Sequence, residues 1–89
     1  MDFMEYLKIR HIVKPGERQI KDRSAMQYNN RLLNMQRYNI YSGERAVTDQ
    51  MLRQIQEHYK DTTNHYQRTI TYYIEFMAYR EQQTNGSGV

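Results

Sequence analysis

The chain has no cysteine, and only one proline and four glycines among its 89 residues. Without cysteine there is no disulfide framework and no thiolate metal site, so the usual staples of a small domain are missing. A cytoplasmic location is the simplest expectation. No run approaches the ~18 consecutive apolar residues of a membrane span. The opening MDFMEYLKIRH carries early acids in place of the basic start and apolar core of a secretion signal. Neither membrane insertion nor secretion is expected.

Aliphatic residues are scarce too. Seven Ile, four Leu, three Val and two Phe make 16 of 89 residues, near the composition at which chains stop folding. Nine Tyr and six Met offset this, because Tyr buries a large ring while its hydroxyl stays wet and Met fills irregular gaps. A chain of this length buries only roughly 60% of its unfolded surface and holds a single core. One domain of modest stability is expected over residues 1–82, with a flexible tail over 83–89.

Acids are missing from one half. From Lys8 to Arg37 eight basic residues (Lys8, Arg10, Lys14, Arg18, Lys21, Arg23, Arg31, Arg37) face two acids, Glu17 and Asp22, whereas from Ala46 to Val89 four basic residues face five acids. The N-terminal half is therefore suited to a polyanion.

Helical periodicity accounts for most of what is present. Asp2 and Glu5 have capping-box spacing, and Phe3, Met4, Leu7 and His11 share a face, which predicts a helix over about 2–11. Pro15-Gly16 ends it, and KPGERQIKD (14–22) reads as a basic connector. Ser24 is the expected N-cap of a second helix over about 24–38, in which Ala25, Tyr28, Leu32 and Met35 recur at steps of 3, 4 and 3. NIYSGE is turn-rich. Thr48-Asp49 opens a third helix over about 48–60 with Met51, Leu52, Ile55 and Tyr59 in register. A fourth, over about 63–81, places Tyr66, Ile70, Tyr73, Ile74 and Met77 on a stripe that Tyr72 and Phe76 widen. No strand alternation appears, and the expected fold is a small all-α four-helix bundle.

The residue patterns of catalysis are not visible. His11, His58 and His65 have no cysteine or convergent acid pair beside them, and the last two straddle a predicted break, so no metal is expected. PGERQIK has a single glycine and lacks the Lys-Ser or Lys-Thr of a phosphate loop. The ten acids are scattered, and no pair is placed for acid-base work. The chain is expected to be no enzyme and to need no cofactor or small-molecule substrate.

The second helix carries a different signal. Off its apolar stripe lie Gln27, Asn30, Arg31, Asn34 and Arg37, long polar side chains without an acid among them. Tyr28, Tyr59, Tyr66 and Tyr73 lie on apolar stripes and are expected in the core. Tyr38, Tyr41, Tyr72 and Tyr79 fall off them and suit either flank packing or a contact surface.

Two stretches resemble the SAM-like N-terminal core-binding domain of tyrosine recombinases and phage integrases. Ser24, Tyr28, Leu32 and Met35 keep the spacing of that family's second helix. Arg68, Ile70, Thr71, Tyr73, Phe76 and Met77 form a ladder similar to its last helix, and FMEYL resembles the start of its first. The likeness covers about residues 3–80. His65 stands near where the family has a threonine, the connector is longer and more basic, and these 89 residues do not include the family's catalytic domain with its Arg, His and Tyr nucleophile.

The resemblance implies a SAM-like fold and DNA contact by the second-helix region and the start of the last helix. The residues themselves point the same way. Arg23, Arg31 and Arg37 with Asn30 and Asn34 suit phosphates, Gln27 can reach base edges, and Lys14, Arg18, Lys21 and Arg68 extend the basic surface. Ser24, Thr62 and Thr63 stand at expected helix starts, where free amides receive phosphate oxygens. The leading expectation is a non-enzymatic DNA-binding accessory protein of a mobile genetic element, serving a larger replication or recombination enzyme such as a polymerase, primase, helicase or recombinase. Tyr72, Phe76 and Tyr79 would form its protein-binding face. The alternatives are the N-terminal domain of a longer integrase, and a helical adaptor that binds protein without touching nucleic acid.

Overall fold

The computed structural model describes residues 1–87, with side chains to residue 83. Among the described residues it is entirely helical: α1 (Phe3–Val13), α2 (Asp22–Arg37), α3 (Asp49–Tyr59) and α4 (His65–Ser87). Helices α1, α2 and α4 pack on one another, and α3 lies against α4. The result is a small four-helix bundle in which α4 is the central element.

Local chemistry sets each boundary. The Asp2 carboxylate accepts from the Glu5 amide at 2.8 Å and caps α1. At its other end Gly16 takes φ +96°, a left-handed conformation that glycine adopts without a Cβ penalty. Helix α2 starts earlier than expected. Its N-cap is Lys21 with no side-chain cap, Asp22 occupies the first turn where an acid favours the helix dipole, and Ser24 is an exposed first-turn residue and no cap. The helix ends in a Schellman motif: Asn39 sits at φ 57°, its amide donates to the Gln36 carbonyl at 3.2 Å, and the Ile40 amide donates to the Met35 carbonyl at 2.9 Å. Thr48 caps α3 by accepting from the Met51 amide at 3.2 Å.

The core of α2 is the expected one, since Ala25, Tyr28, Leu32 and Met35 are all buried. On α1 the buried face is Phe3, Tyr6, Leu7 and Arg10, so Tyr6 and Arg10 take the places expected for Met4 and His11. Tyr6 earns its position by ring contacts, at 5.8 Å from Phe76 and 5.4 Å from Tyr79. Phe3 adds contacts to Tyr73 at 5.2 Å and Phe76 at 5.9 Å. Each aromatic pair adds about 0.5–1.5 kcal/mol to the apolar burial.

The α2–α3 connector does more than turn. Ile40 and Tyr41 are buried and close the bundle. The Tyr41 hydroxyl donates to the Glu44 carbonyl at 3.0 Å, and the Glu44 carboxylate accepts from the Ser42 amide at 2.9 Å and hydroxyl at 2.7 Å. Tyr41, expected off the apolar stripes, is thus a core residue.

Helix α4 is covered by all three other helices, which explains why its apolar surface extends around most of its circumference. It also runs on to Ser87, past the expected end near residue 81. Glu81, Gln82 and Gln83 are good helix formers, and each residue added to an existing helix gains a backbone hydrogen bond. The expected flexible tail is therefore helical over 83–87, and its last two residues lie outside those described. No helix among the described residues is long and apolar enough to cross a membrane.

Candidate nucleic-acid interface

Burying one face of α2 leaves the opposite face to solvent. Arg23, Gln27, Asn30, Asn34 and Arg37 follow one another at steps of 4, 3, 4 and 3 on that outer side, over roughly 21 Å of helix. All are exposed except Asn34, which is half-buried. No carboxylate lies within 4 Å of Arg18, Lys21, Arg23, Arg31 or Arg37 among the described residues. Arg18 and Lys21, both exposed, continue the positive charge into the connector. Met26 and Leu33, each 49% exposed, run beside the row.

Arg31 is set apart from the others. Its guanidinium lies 5.2 Å from the Tyr28 ring centroid and 6.0 Å from that of Tyr66, so it is half-buried against α4. Beyond it the rings continue. Tyr66 stacks on Tyr59 at 3.8 Å with planes 9° apart, Tyr59 meets His58 at 4.7 Å, and His58 meets Tyr38 at 4.2 Å. Tyr38 is 50% exposed. A depression of about 260 Å³ opens beside it, lined by Tyr38, Ile40, Gln54, Glu57 and His58.

Several expected contact residues have other employment. Lys14 donates to the Glu75 carboxylate at 3.1 Å, so its charge is already met. Arg68 is exposed, and the nearby Tyr28 side chain raises its pKa. Thr62 and Thr63 are exposed but do not open α4. The amides at that helix start, of His65 and Tyr66, donate to the buried Asp61 carboxylate at 3.1 Å and 3.0 Å. A built-in anion thus fills the place where phosphate was expected. Ser24 is the third residue of α2 and not its cap; because the Ala25 amide is the first to bond back, to the Lys21 carbonyl at 2.9 Å, the Ser24 amide stays among the first-turn N–H groups that have no acceptor within the helix.

The expected protein-binding trio is likewise corrected. Phe76 is buried at 2% exposure, while Tyr72 and Tyr79 pack against the core. Tyr72 meets Tyr28 edge-on at 5.2 Å and carries the Arg10 guanidinium 4.4 Å from its centroid. These rings hold α4 to α1 and α2; Phe76 is inside the bundle, and Tyr72 and Tyr79 stay half-buried at its surface.

A second depression, of about 370 Å³, is lined by Arg10, Glu17, Asn64, Gln67, Arg68, Thr71, Tyr72 and Glu75. Its charges are mostly matched internally: Arg10 bonds Glu75 through Nε at 2.8 Å and approaches Glu17 at 3.7 Å. The hydrogen bond that Arg10 donates to Glu75 raises the Arg10 pKa. Among the described residues no three His, Cys, Asp or Glu side chains gather as a metal ion would require.

The outer row was legible because it needs only helical spacing and a lack of acids. The ring series was missed. It joins the end of α2, the end of α3 and the start of α4, and no local pattern brings those three together. Comparison with protein-family models, with curated proteins and with solved structures finds no match to this chain.

Proposed function

We propose that the chain is a non-enzymatic DNA-binding accessory protein, lending nucleic-acid grip to a larger replication or recombination enzyme of a mobile genetic element. The observation that carries DNA binding is the outer face of α2, where Arg23, Gln27, Asn30, Asn34 and Arg37 line up with, among the described residues, no carboxylate paired to either arginine. Unpaired guanidinium groups favour phosphates, the interleaved amides bond sugar and base edges, and Arg18 and Lys21 lengthen the track. The mobile-element setting rests on the likeness of the Ser24, Tyr28, Leu32 and Met35 spacing to recombinase core-binding domains.

With about four phosphates neutralised, affinity falls roughly 50- to 150-fold between 50 and 200 mM salt. Fluorescence anisotropy with a labelled oligonucleotide tests the proposal. Salt-sensitive binding lost in Arg23→Glu/Arg37→Glu is the expected result, and no binding by the native chain at low salt contradicts it. A protein-only adaptor is the second reading, favoured by the exposed Met26 and Leu33 beside the row. It predicts instead that Met26→Ser/Leu33→Ser abolishes capture of a partner while no DNA binding is found.

A further inference from the structure

Beside the outer row of α2, and sharing Gln27 and Asn34 with it, Gln27, Arg31, Asn34 and Tyr38 recur at steps of 4, 3 and 4 along the side facing the α3–α4 junction. The rings beside it form an unbroken series from Arg31 through Tyr66, Tyr59 and His58 to Tyr38. Its inner members are packed: Arg31, Tyr59 and Tyr66 are half-buried, and the Tyr59 hydroxyl is enclosed without a hydrogen-bond partner. Its outer end is open. Tyr38 is 50% exposed, His58 is exposed, and the two rings meet at 4.2 Å over the 260 Å³ depression.

The lining of that depression discriminates between the parts of a nucleotide. Tyr38 and His58 offer ring faces, and Ile40 an apolar edge. Gln54 offers both an amide donor and an acceptor, and Glu57 an acceptor only. A carboxylate there repels phosphate and accepts from a base N–H, the ring N3–H of thymine as well as the exocyclic amine of cytosine or adenine. The phosphate-binding group is one residue away, at exposed Arg37. Two exposed ring faces inclined 46° to each other, with amide and carboxylate at their margin and Arg37 beside them, match an unstacked nucleobase attached to its backbone, one ring taking the base face and the other its edge. Bases inside a duplex are stacked on both faces and cannot reach such a platform.

We infer that Tyr38 and His58 form a base-stacking platform, so that the DNA held by α2 is single-stranded, with one base seated in the depression edged by Gln54 and Glu57. This inference rests on the DNA-binding function proposed above. The backbone follows the outer row and its bases turn towards the α3–α4 junction. The packed rings behind Tyr38 keep the platform from folding away, because Tyr59 and Tyr66 are locked face to face.

The experiment is an anisotropy titration at low salt of a labelled oligo-dT and of a duplex of equal length. The native chain, Tyr38→Leu, Tyr38→Phe and Arg23→Glu/Arg37→Glu are compared, each checked for native helicity by circular dichroism. Tighter binding of oligo-dT than of duplex is expected. Tyr38→Leu should lose roughly fivefold or more for oligo-dT alone, and Tyr38→Phe, which keeps the ring, should hold its affinity. If Tyr38→Leu binds oligo-dT as the native chain does, or loses oligo-dT and duplex equally, the platform is wrong; loss in the arginine variant then leaves the DNA-binding function standing. A loss in Tyr38→Phe as large as in Tyr38→Leu also overturns it, by assigning the effect to the hydroxyl. If the native chain binds neither oligonucleotide, the function and the platform fail together.

Discussion

Arg10 on α1 and Glu75 on α4, separated by 65 positions in the chain, meet through two hydrogen bonds, Nε to Oε2 at 2.8 Å and Nη2 to Oε1 at 3.2 Å. The Arg10 side chain is 7% exposed and that of Glu75 20%, and each is the other's nearest charge, with Glu17 3.7 Å from Arg10 and Lys14 3.1 Å from Glu75. Glu75→Ala leaves a guanidinium buried without its partner and is expected to cost about 2–3 kcal/mol, at or below the range for fully buried pairs. Arg10→Met/Glu75→Leu removes both charges and should recover most of that loss. Urea unfolding of the two variants against the native chain checks it.

The same pair sets the acid limit of stability. Burial pushes the Glu75 carboxyl up, but the hydrogen bonds from Arg10 and Lys14 outweigh it and hold the group below its ordinary value. A carboxyl depressed in the folded state contributes stability that is present above its unfolded pKa of about 4.3 and is lost as pH falls through the folded value. Unfolding free energy should therefore drop on acidification below about pH 4.3, with a shallower slope in Glu75→Gln.

Tyr41 contributes to the alkaline limit, together with Tyr6, Tyr59 and Tyr72, whose hydroxyls burial also pushes up. Burial, aided by Tyr73 and Glu44, pushes the Tyr41 hydroxyl up to about 12. A pKa raised in the folded state means stability that is full below the unfolded value of about 10 and lost as pH rises through 12. Thermal unfolding between pH 9 and 12 should show this fall, reduced in Tyr41→Phe. At pH 7 the same variant loses the hydrogen bond to Glu44 and costs about 1 kcal/mol.

Helix α4 depends on a carboxylate that its own sequence does not contain. Asp61 accepts from the amides of His65 and Tyr66, and the Gln56 side chain holds the Asp61 carbonyl at 3.0 Å. Asp61→Ala is expected to cost about 1–2 kcal/mol, whereas Thr62→Ala, at an exposed position with no cap to lose, should be nearly neutral. Chemical denaturation of the two variants gives the comparison.

Phe76 distinguishes a core residue from a docking residue. At 2% exposure and within 6 Å of three other rings, its truncation to Ala should destabilise the chain by about 3–5 kcal/mol. Near-native stability in that variant, read by thermal melting, would falsify its placement inside the bundle.

The four helices were legible because each depends on short-range periodicity. Ala25, Tyr28, Leu32 and Met35 repeat at steps that local spacing displays, and Asp2 and Thr48 stand where side-chain caps belong. What escaped was set by distant partners. Arg10 is buried only because Glu75 is brought to it from α4, and Met4 lost its expected place to Tyr6 because Phe76 and Tyr79 supply ring contacts there. Ile40 and Tyr41 enter the core because Asn39 adopts a left-handed turn that redirects the chain, an effect invisible in a polar NIYSGE. At the candidate site the exposed row on α2 was readable, since exposure needs no partner. The loss of Lys14 to Glu75, the filling of the α4 start by Asp61 and the series of rings ending at Tyr38 all required the fold.

The central claim is that the outer row of α2 binds the DNA backbone, and the salt dependence of binding tests it most directly. Titrations from 50 to 200 mM salt should give a linear fall of log affinity with log salt, its slope smaller in magnitude by about 1.4–1.8 in Arg23→Gln/Arg37→Gln than in the native chain. An unchanged slope in that variant, or affinity independent of salt in the native chain, would contradict the claim.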